Sequence, residues 1–299
     1  MNNLKTRGEK VFSIFAEMLV ILLVVVSLAP LLLIFIASFT KETALVANGY
    51  SFFPKALSLD AYYYMISQST MILRAYGVSL FVTGVGTFLS IIITSMLAYP
   101  LSRKDFKYGK LISFLVLFTM LFSGGVAPAY IMWTRIFHIK NTIFALILPN
   151  YLMNAFNVFL VTNYYRNSIP DALVEAARID GAGELKIFFR IILPLSIPAV
   201  ATIGIFTGLA YWNDWINGIY YITNPKLYGI QNLLVRIMDN IQFLKSGAAG
   251  STIGTVATQL PSTSVRMALA VIGILPIVIL FPFVQKYLIK GVVVGAVKE

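Results

Sequence analysis

Six predominantly apolar stretches, each about the length that a bilayer requires and divided by short polar interruptions, dominate this 299-residue sequence. A helix needs roughly 20 such residues to cross the hydrocarbon core. The stretches lie at Val11 to Ala37, Arg74 to Pro100, Leu111 to Trp133, Thr142 to Asn163, Leu193 to Ile222 and Val265 to Tyr287. Charged residues make up 12% of the chain, about half the ~25% usual in soluble domains, and 59% is hydrophobic. So few charges cannot cover a surface facing water. The chain therefore reads as an all-α, polytopic integral membrane protein with six transmembrane helices. The first stretch has a long apolar run and no small-residue cleavage site, which predicts a retained span rather than a removable signal peptide. Glu17 lies near enough to its start to reach the interface by snorkelling.

Six spans put both termini on one side, and the distribution of Lys and Arg chooses that side. Lys5, Arg7 and Lys10 precede the first span. Arg103, Lys104, Lys107 and Lys110 follow the second, Arg166, Arg178, Lys186 and Arg190 follow the fourth, and Lys286, Lys290 and Lys298 end the chain. These are 14 of the 23 basic residues, in segments that would share the inner face. Both termini are thus expected in the cytoplasm of a multi-pass cell-membrane protein, and the net charge of +11 follows from topology without a nucleic-acid partner. The organisation is an amino tail at 1–10, a membrane region at 11–287 with a cytoplasmic loop at 164–192 and outer loops at 38–73 and 223–264, and a tail at 288–299. The second outer loop carries an amphipathic pattern around Leu227 to Leu244, then a polar stretch with Ser246-Gly247 and Gly250-Ser251.

The 164–192 loop differs chemically from its surroundings, holding eight of the 35 charged residues. Pro170 fits the first turn of a helix, with Ser168 or Asn167 as cap and Asp171 and Glu175 near the positive end of the dipole. Ala172, Ala176 and Ile179 share one small, weakly apolar face, and Asp180-Gly181 supplies a left-handed C-terminal cap. A second short helix is expected over Glu184 to Ile191, with Leu185, Phe188 and Phe189 toward the bilayer and Lys186 and Arg190 toward headgroups. The small face permits close approach of another protein's groove, with Glu175 and Asp180 offering carboxylates to its cations. An ordinary interfacial connector accounts for the same pattern.

Glu175-Ala176-Ala177, Asp180-Gly181-Ala182 and Ile192-Leu193-Pro194 together resemble the EAA loop of the membrane subunits of type I ATP-binding-cassette importers. Trp212-Asn213-Asp214 and the ending Gln285-Lys286-Tyr287, Lys290-Gly291 and Gly295-Ala296-Val297-Lys298 resemble the carbohydrate-uptake, maltose-type branch. Ser123-Gly124-Gly125 with Pro128 and Tyr130 is similar to the subset that imports oligosaccharides or polysaccharide fragments. The resemblance implies a homologous second permease subunit, two cytoplasmic ATPase subunits that bind ATP and Mg, and an extracellular sugar-binding protein. It also implies that the EAA segment is a coupling helix seated in an ATPase groove, with Glu175 as its charge contact and Gly181 as its turn. Permeases of the same type for another small solute, and a self-contained secondary transporter, are the alternatives.

The chain carries no phosphate-binding loop of the form G-x-x-x-x-G-K-[ST], no carboxylate pair or Ser-His-Asp set, and no cysteine; a catalytic centre, a metal site and a cofactor of its own are not expected. Asn150, Asn154 and Asn157 recur at helical spacing in the fourth stretch. Their amides fit two readings, bonds to a neighbouring helix or contacts with sugar hydroxyls. Trp212, Asn213 and Asp214 place aromatic and polar groups side by side, which suits a sugar and equally a membrane interface. A carboxylate at that depth, Asp214, requires a partner.

Overall fold

The computed structural model describes residues 7–67, 69–245 and 262–296, so the polar stretch around Ser246 to Ser251 and the final Val297-Lys298 lie outside the described residues. The chain is mostly helical, with no strand among the described residues beyond one isolated bridge between Thr40 and Leu57. It divides into two compact units, Met1–Ser69 with Ile237–Pro276, and Thr70–Arg236 with Ile277–Glu299.

In the first unit, α1 (Arg7–Ser38) is apolar all round, and its large side chains from Val11 to Leu28 are open on every face. A helix of that character is stable only in hydrocarbon or a protein core. At its end Ser38 is buried, where its hydroxyl donates to the Phe35 carbonyl and pairs with Tyr62 of α3 (Asp60–Ser67). Between these elements lies α2 (Glu42–Asn48). Its Glu42 carboxylate accepts from the backbone N–H groups of Thr263 (2.9 Å) and Ser264 (2.8 Å), capping the start of the chain's last helix, Ser262–Ala296.

The second unit is built on α4 (Ser69–Ser102), whose buried positions include Ala75, Ser79, Val82, Gly86, Ser90 and Thr94. Small residues along one face let other helices approach closely. Gly86 shows how closely: a Cβ there would lie 2.5–2.8 Å from the ring of Tyr211. The stretch at 111–133, expected as one helix, is two: α5 (Gly109–Leu121) and α6 (Val126–Ile131), the latter continued by a wider turn through Met132–Ile136. They meet at 113°. The cause is Ser123-Gly124-Gly125, with Gly125 at φ +81°, a left-handed conformation that favours glycine.

The stretch at 142–163 also departs from one rod. After the single turn α7 (Phe144–Ile147), Pro149 and Asn150 (φ +68°) end the helix, and α8 (Ala155–Ser168) starts afresh with Asn154 as its cap. The stretch at 193–222 is interrupted twice. The short helices α10 (Glu184–Ile187) and α11 (Leu193–Leu195), joined through Phe188–Ile192, meet α12 (Ile197–Trp212) at 81° near Pro194 and Pro198; α13 (Ile216–Tyr221) follows beyond Asn213. Among the described residues, three helices are singly long and apolar enough to cross a membrane, and the two bent pairs pass the same measure when each is taken together.

Candidate functional site

Two groups of residues have site character, and both lie in the second unit. The first is α9 (Asp171–Ile179) with the turn after it. Pro170 sits one position earlier than the first helical turn, in extended conformation at the cap itself. The helix closes with Gly181 at φ +77°; the Gly181 N–H donates to the Arg178 carbonyl (3.0 Å) and the Ala182 N–H to the Ala177 carbonyl (2.9 Å). This is a Schellman ending, in which an apolar contact normally accompanies the two bonds. Here Ala177 and Ala182 are the residues at those positions, and both pack on the cluster containing Tyr99, Tyr165, Val174 and Phe188. A Cβ on Gly181 would meet nothing, so the backbone conformation and not space demands glycine there.

Of α9 only Val174 is fully buried. Glu175, Ala176 and Asp180 are exposed beside Leu173 and Ile179, and Ile179 is 87% exposed. The motif thus splits by role: Ala177, Gly181 and Ala182 shape and seat the helix, while Glu175, Ala176 and Asp180 face outward. Phe188 corrects the expectation that it faces the bilayer. It is buried, its ring 5.8 Å from that of Tyr99, whereas Leu185 and Phe189 are exposed.

Around α9 lies a charge network that the sequence did not reveal. Arg178 donates to Glu184 (2.8 Å) and to Asp105 (3.0 Å), Asp171 pairs with Arg103 (3.2 Å) and Lys104 (3.4 Å), and the Tyr99 hydroxyl donates to Glu184 (2.5 Å). The Tyr99 hydrogen bond, aided by Arg178, holds the Glu184 carboxyl below its ordinary value despite some burial. Arg178 does the same for Asp105. Partners 68 and 73 positions apart leave no local pattern to read.

The second group surrounds Tyr211. Asn150, Asn154 and Asn157 do not form a stripe on one helix, because the first sits in a turn and the second is a cap. Each has a partner within the chain: Asn150 donates to Asn217 (2.9 Å), Asn154 accepts from the Asn157 N–H (3.3 Å), and the buried Asn157 amide donates to Thr207 (3.3 Å). Asp214 accepts from the Asn217 N–H (3.1 Å) and from Tyr151. Asn154 and Asn157, with Tyr151, Phe156, Phe206 and Thr207, line an open cleft of about 360 Å³. Trp212 is buried with its ring 6.1 Å from Tyr76, and Asn213 is exposed, its amide donating to the Leu209 carbonyl; neither lines that cleft. Thr207 was missed as a site residue, and Asn217, polar and close to Asp214 in sequence, is a further member of this group. An isolated Thr in an apolar run carries no signal. No group of three His, Cys, Asp or Glu among the described residues could hold a metal ion.

Comparison with known proteins adds an independent line. Residues 90–294 match the family of binding-protein-dependent transport system inner membrane components. The chain is 36% identical, over 97% of its length and 99% of the relative's, to the polygalacturonan/rhamnogalacturonan transport system permease protein YtcP of Bacillus subtilis (strain 168). It is 31% identical, over 91% of its length and 92% of the relative's, to the arabinooligosaccharides transport system permease protein AraQ of Halalkalibacterium halodurans. Among solved structures, a chain of a bacterial ABC transporter that imports the acidic polysaccharide alginate superposes with a TM-score of 0.78 at 27% identity, covering 96% of this chain and 99% of that one.

Proposed function

Because the chain belongs to the family of binding-protein-dependent transport system inner membrane components, we propose that it is the permease subunit of an ATP-driven importer for an oligosaccharide or polysaccharide fragment. The near full-length likeness to permeases named for such glycans carries this reading. In it the chain is a translocation subunit and not an enzyme. A homologous permease completes the pathway, two ATPase subunits bind ATP and Mg on the cytoplasmic side, and an extracellular binding protein delivers the sugar. The six apolar stretches make six passes between an amino tail at 1–10 and a carboxyl tail at 288–299, both cytoplasmic.

The outward face of α9, with Glu175, Ala176 and Asp180, meets an ATPase, and Ala177, Gly181 and Ala182 hold it in shape. ATP-driven closure of the ATPase pair then shifts the spans between inward- and outward-facing states through differential contacts. Asn150, Asn154, Asn157, Trp212, Asn213 and Asp214 are the candidate pathway residues. The cleft favours Asn154 and Asn157 for sugar contact, because Trp212 and Asn213 lie off it and Asn150 lines a separate cleft with Ser123, Gly125 and Asn217.

The test is ATP-driven sugar uptake by the assembled complex in proteoliposomes. Glu175→Lys places a cation on the docking face, and Gly181→Pro imposes a φ near −65° where +77° is required. Both variants should insert in the membrane yet recover less ATPase and lose sugar-stimulated hydrolysis. Normal recovery and stimulation in both would overturn the docking assignment.

A further inference from the structure

We infer that Arg178 is a positioning residue for energy coupling, fastening α9 to the end of α4 so that a displacement of α9 moves α4 as well as the helices that follow it. This rests on α9 being the ATPase contact.

The geometry is that of a brace. The Arg178 guanidinium joins two carboxylates from different parts of the chain, Nε to Glu184 Oε1 at 2.8 Å and Nη1 to Asp105 Oδ2 at 3.0 Å. Asp105 lies three residues beyond α4, and Glu184 is itself bonded at 2.5 Å to the hydroxyl of Tyr99, a buried residue of α4. At the opposite end of α9, Asp171 faces Arg103 and Lys104. Both ends of a nine-residue helix are therefore tied to the single segment 99–105.

The apolar contact alone cannot supply this. Val174 is the one fully buried side chain of α9 and the small Ala177 and Ala182 pack on the same cluster, contacts that seat the helix yet leave it some freedom to tilt. Two polar ties on either side of it remove that freedom. Exposed ion pairs contribute little to folding stability, so stability does not explain the arrangement. Direction does: the planar guanidinium presents its donors at fixed angles and can hold both carboxylates at once, whereas an ammonium is a point charge on a flexible stem.

The experiment measures sugar transported per ATP consumed by the full complex in proteoliposomes. For Arg178→Ala the expectation is normal co-purification of the ATPases, basal hydrolysis retained, and transport per ATP reduced about three- to ten-fold. Arg178→Lys should fall between that and the unmodified protein. The chain contains no cysteine. Asp105→Cys with Arg178→Cys, in a complex whose other subunits lack cysteine, can therefore be joined by a short bifunctional thiosulfonate linker. Linked protein should recover coupling and lose it again when a reductant cleaves the linker. Unchanged transport per ATP in Arg178→Ala, or a linked pair no better than the reduced one, would overturn the brace. If Arg178→Ala does not assemble, the linked and reduced forms decide alone. Absence of ATP-driven uptake by the unmodified complex would instead overturn the importer reading.

Discussion

Around α9 the polar contacts are ionic and lie at the surface, whereas around Tyr211 they run mainly through amides and hydroxyls, several of them buried, with Asp214 adding a carboxylate. Arg178, Asp105 and Glu184 are all at least one-third exposed at the side chain. Asn217, by contrast, is fully buried, and the Tyr211 hydroxyl donates to the Ile147 carbonyl at 2.7 Å inside the helical body. Burying charges would cost several kcal/mol per ion, while amides and hydroxyls can be satisfied in place. Surface ion pairs add little to stability, so what they contribute around α9 is direction. Buried neutral bonds fix one arrangement, which suits helices broken into short pieces that must still pack as one body.

The contrast breaks most visibly at Gly86. Gly86→Ala gains up to ~1 kcal/mol of helix propensity but places Cβ within 2.5–2.8 Å of the Tyr211 ring. That ring cannot swing aside without losing its bond to Ile147. Overpacking of this kind costs ~1–3 kcal/mol or more, so the clash wins. Thermal unfolding in detergent should show the variant destabilised by about 3 kcal/mol, and Gly86→Ala with additional Tyr211→Phe should not recover it, because the ring remains. Wild-type stability for Gly86→Ala would mean that the body around Tyr211 adapts in spite of its buried bonds.

A smaller loss is expected at Asn217. Asn217→Ala removes the acceptor for Asn150 and the donor to the Pro149 carbonyl, leaving Asn150 to hold φ +68° without its tie. An orphaned buried polar group costs ~1–3 kcal/mol, and about 2 kcal/mol is the expected effect by the same unfolding measurement. Asn213→Ala is the control, since that amide is exposed and bonds only within its own helix turn. Equal effects at the two positions would erase the distinction between buried and surface amides.

How legible each region was follows from the range of its interactions. The end of α9 could be read almost residue by residue, because a Schellman ending is set within six positions and Gly181 announces a positive φ, whereas its start was misread: Ser168 ends α8, and Pro170 stands at the cap without a side-chain bond. The broken stretches were not legible as broken. Apolar composition fixes that a segment leaves water, but helical continuity depends on local features such as Gly124-Gly125 and Pro149-Asn150, which an apolar average conceals. Phe188 was misplaced for a related reason: its periodicity puts it on an apolar face, and only the long-range arrival of Tyr99 decides whether that face meets lipid or protein. The Arg178 network joins residues from Tyr99 to Glu184 across 85 positions, and no spacing within the chain encodes it.

The smallest effect concerns acid. Glu184 and Asp105 are both held below their ordinary values of 4.5 and 3.8, in the one case by Tyr99 and Arg178 and in the other by Arg178, with Arg103 adding to both. A carboxyl depressed in the folded state lends stability that is complete above its unfolded value and disappears as pH falls through its folded value. The stability difference between the unmodified protein and Arg178→Ala should therefore be present at pH 7, at no more than about 1 kcal/mol because the groups are exposed. It should be unchanged down to about pH 5 and shrink as the pH falls below the ordinary values of 4.5 and 3.8. Added salt should shrink it at neutral pH, since exposed charges are screened. The Gly86→Ala deficit, which rests on packing against a ring rather than on charge, should respond to neither. A gap at Arg178 that did not shrink below those ordinary values, or a deficit at Gly86 that shrank with it, would show that the two regions are not held by different physics after all.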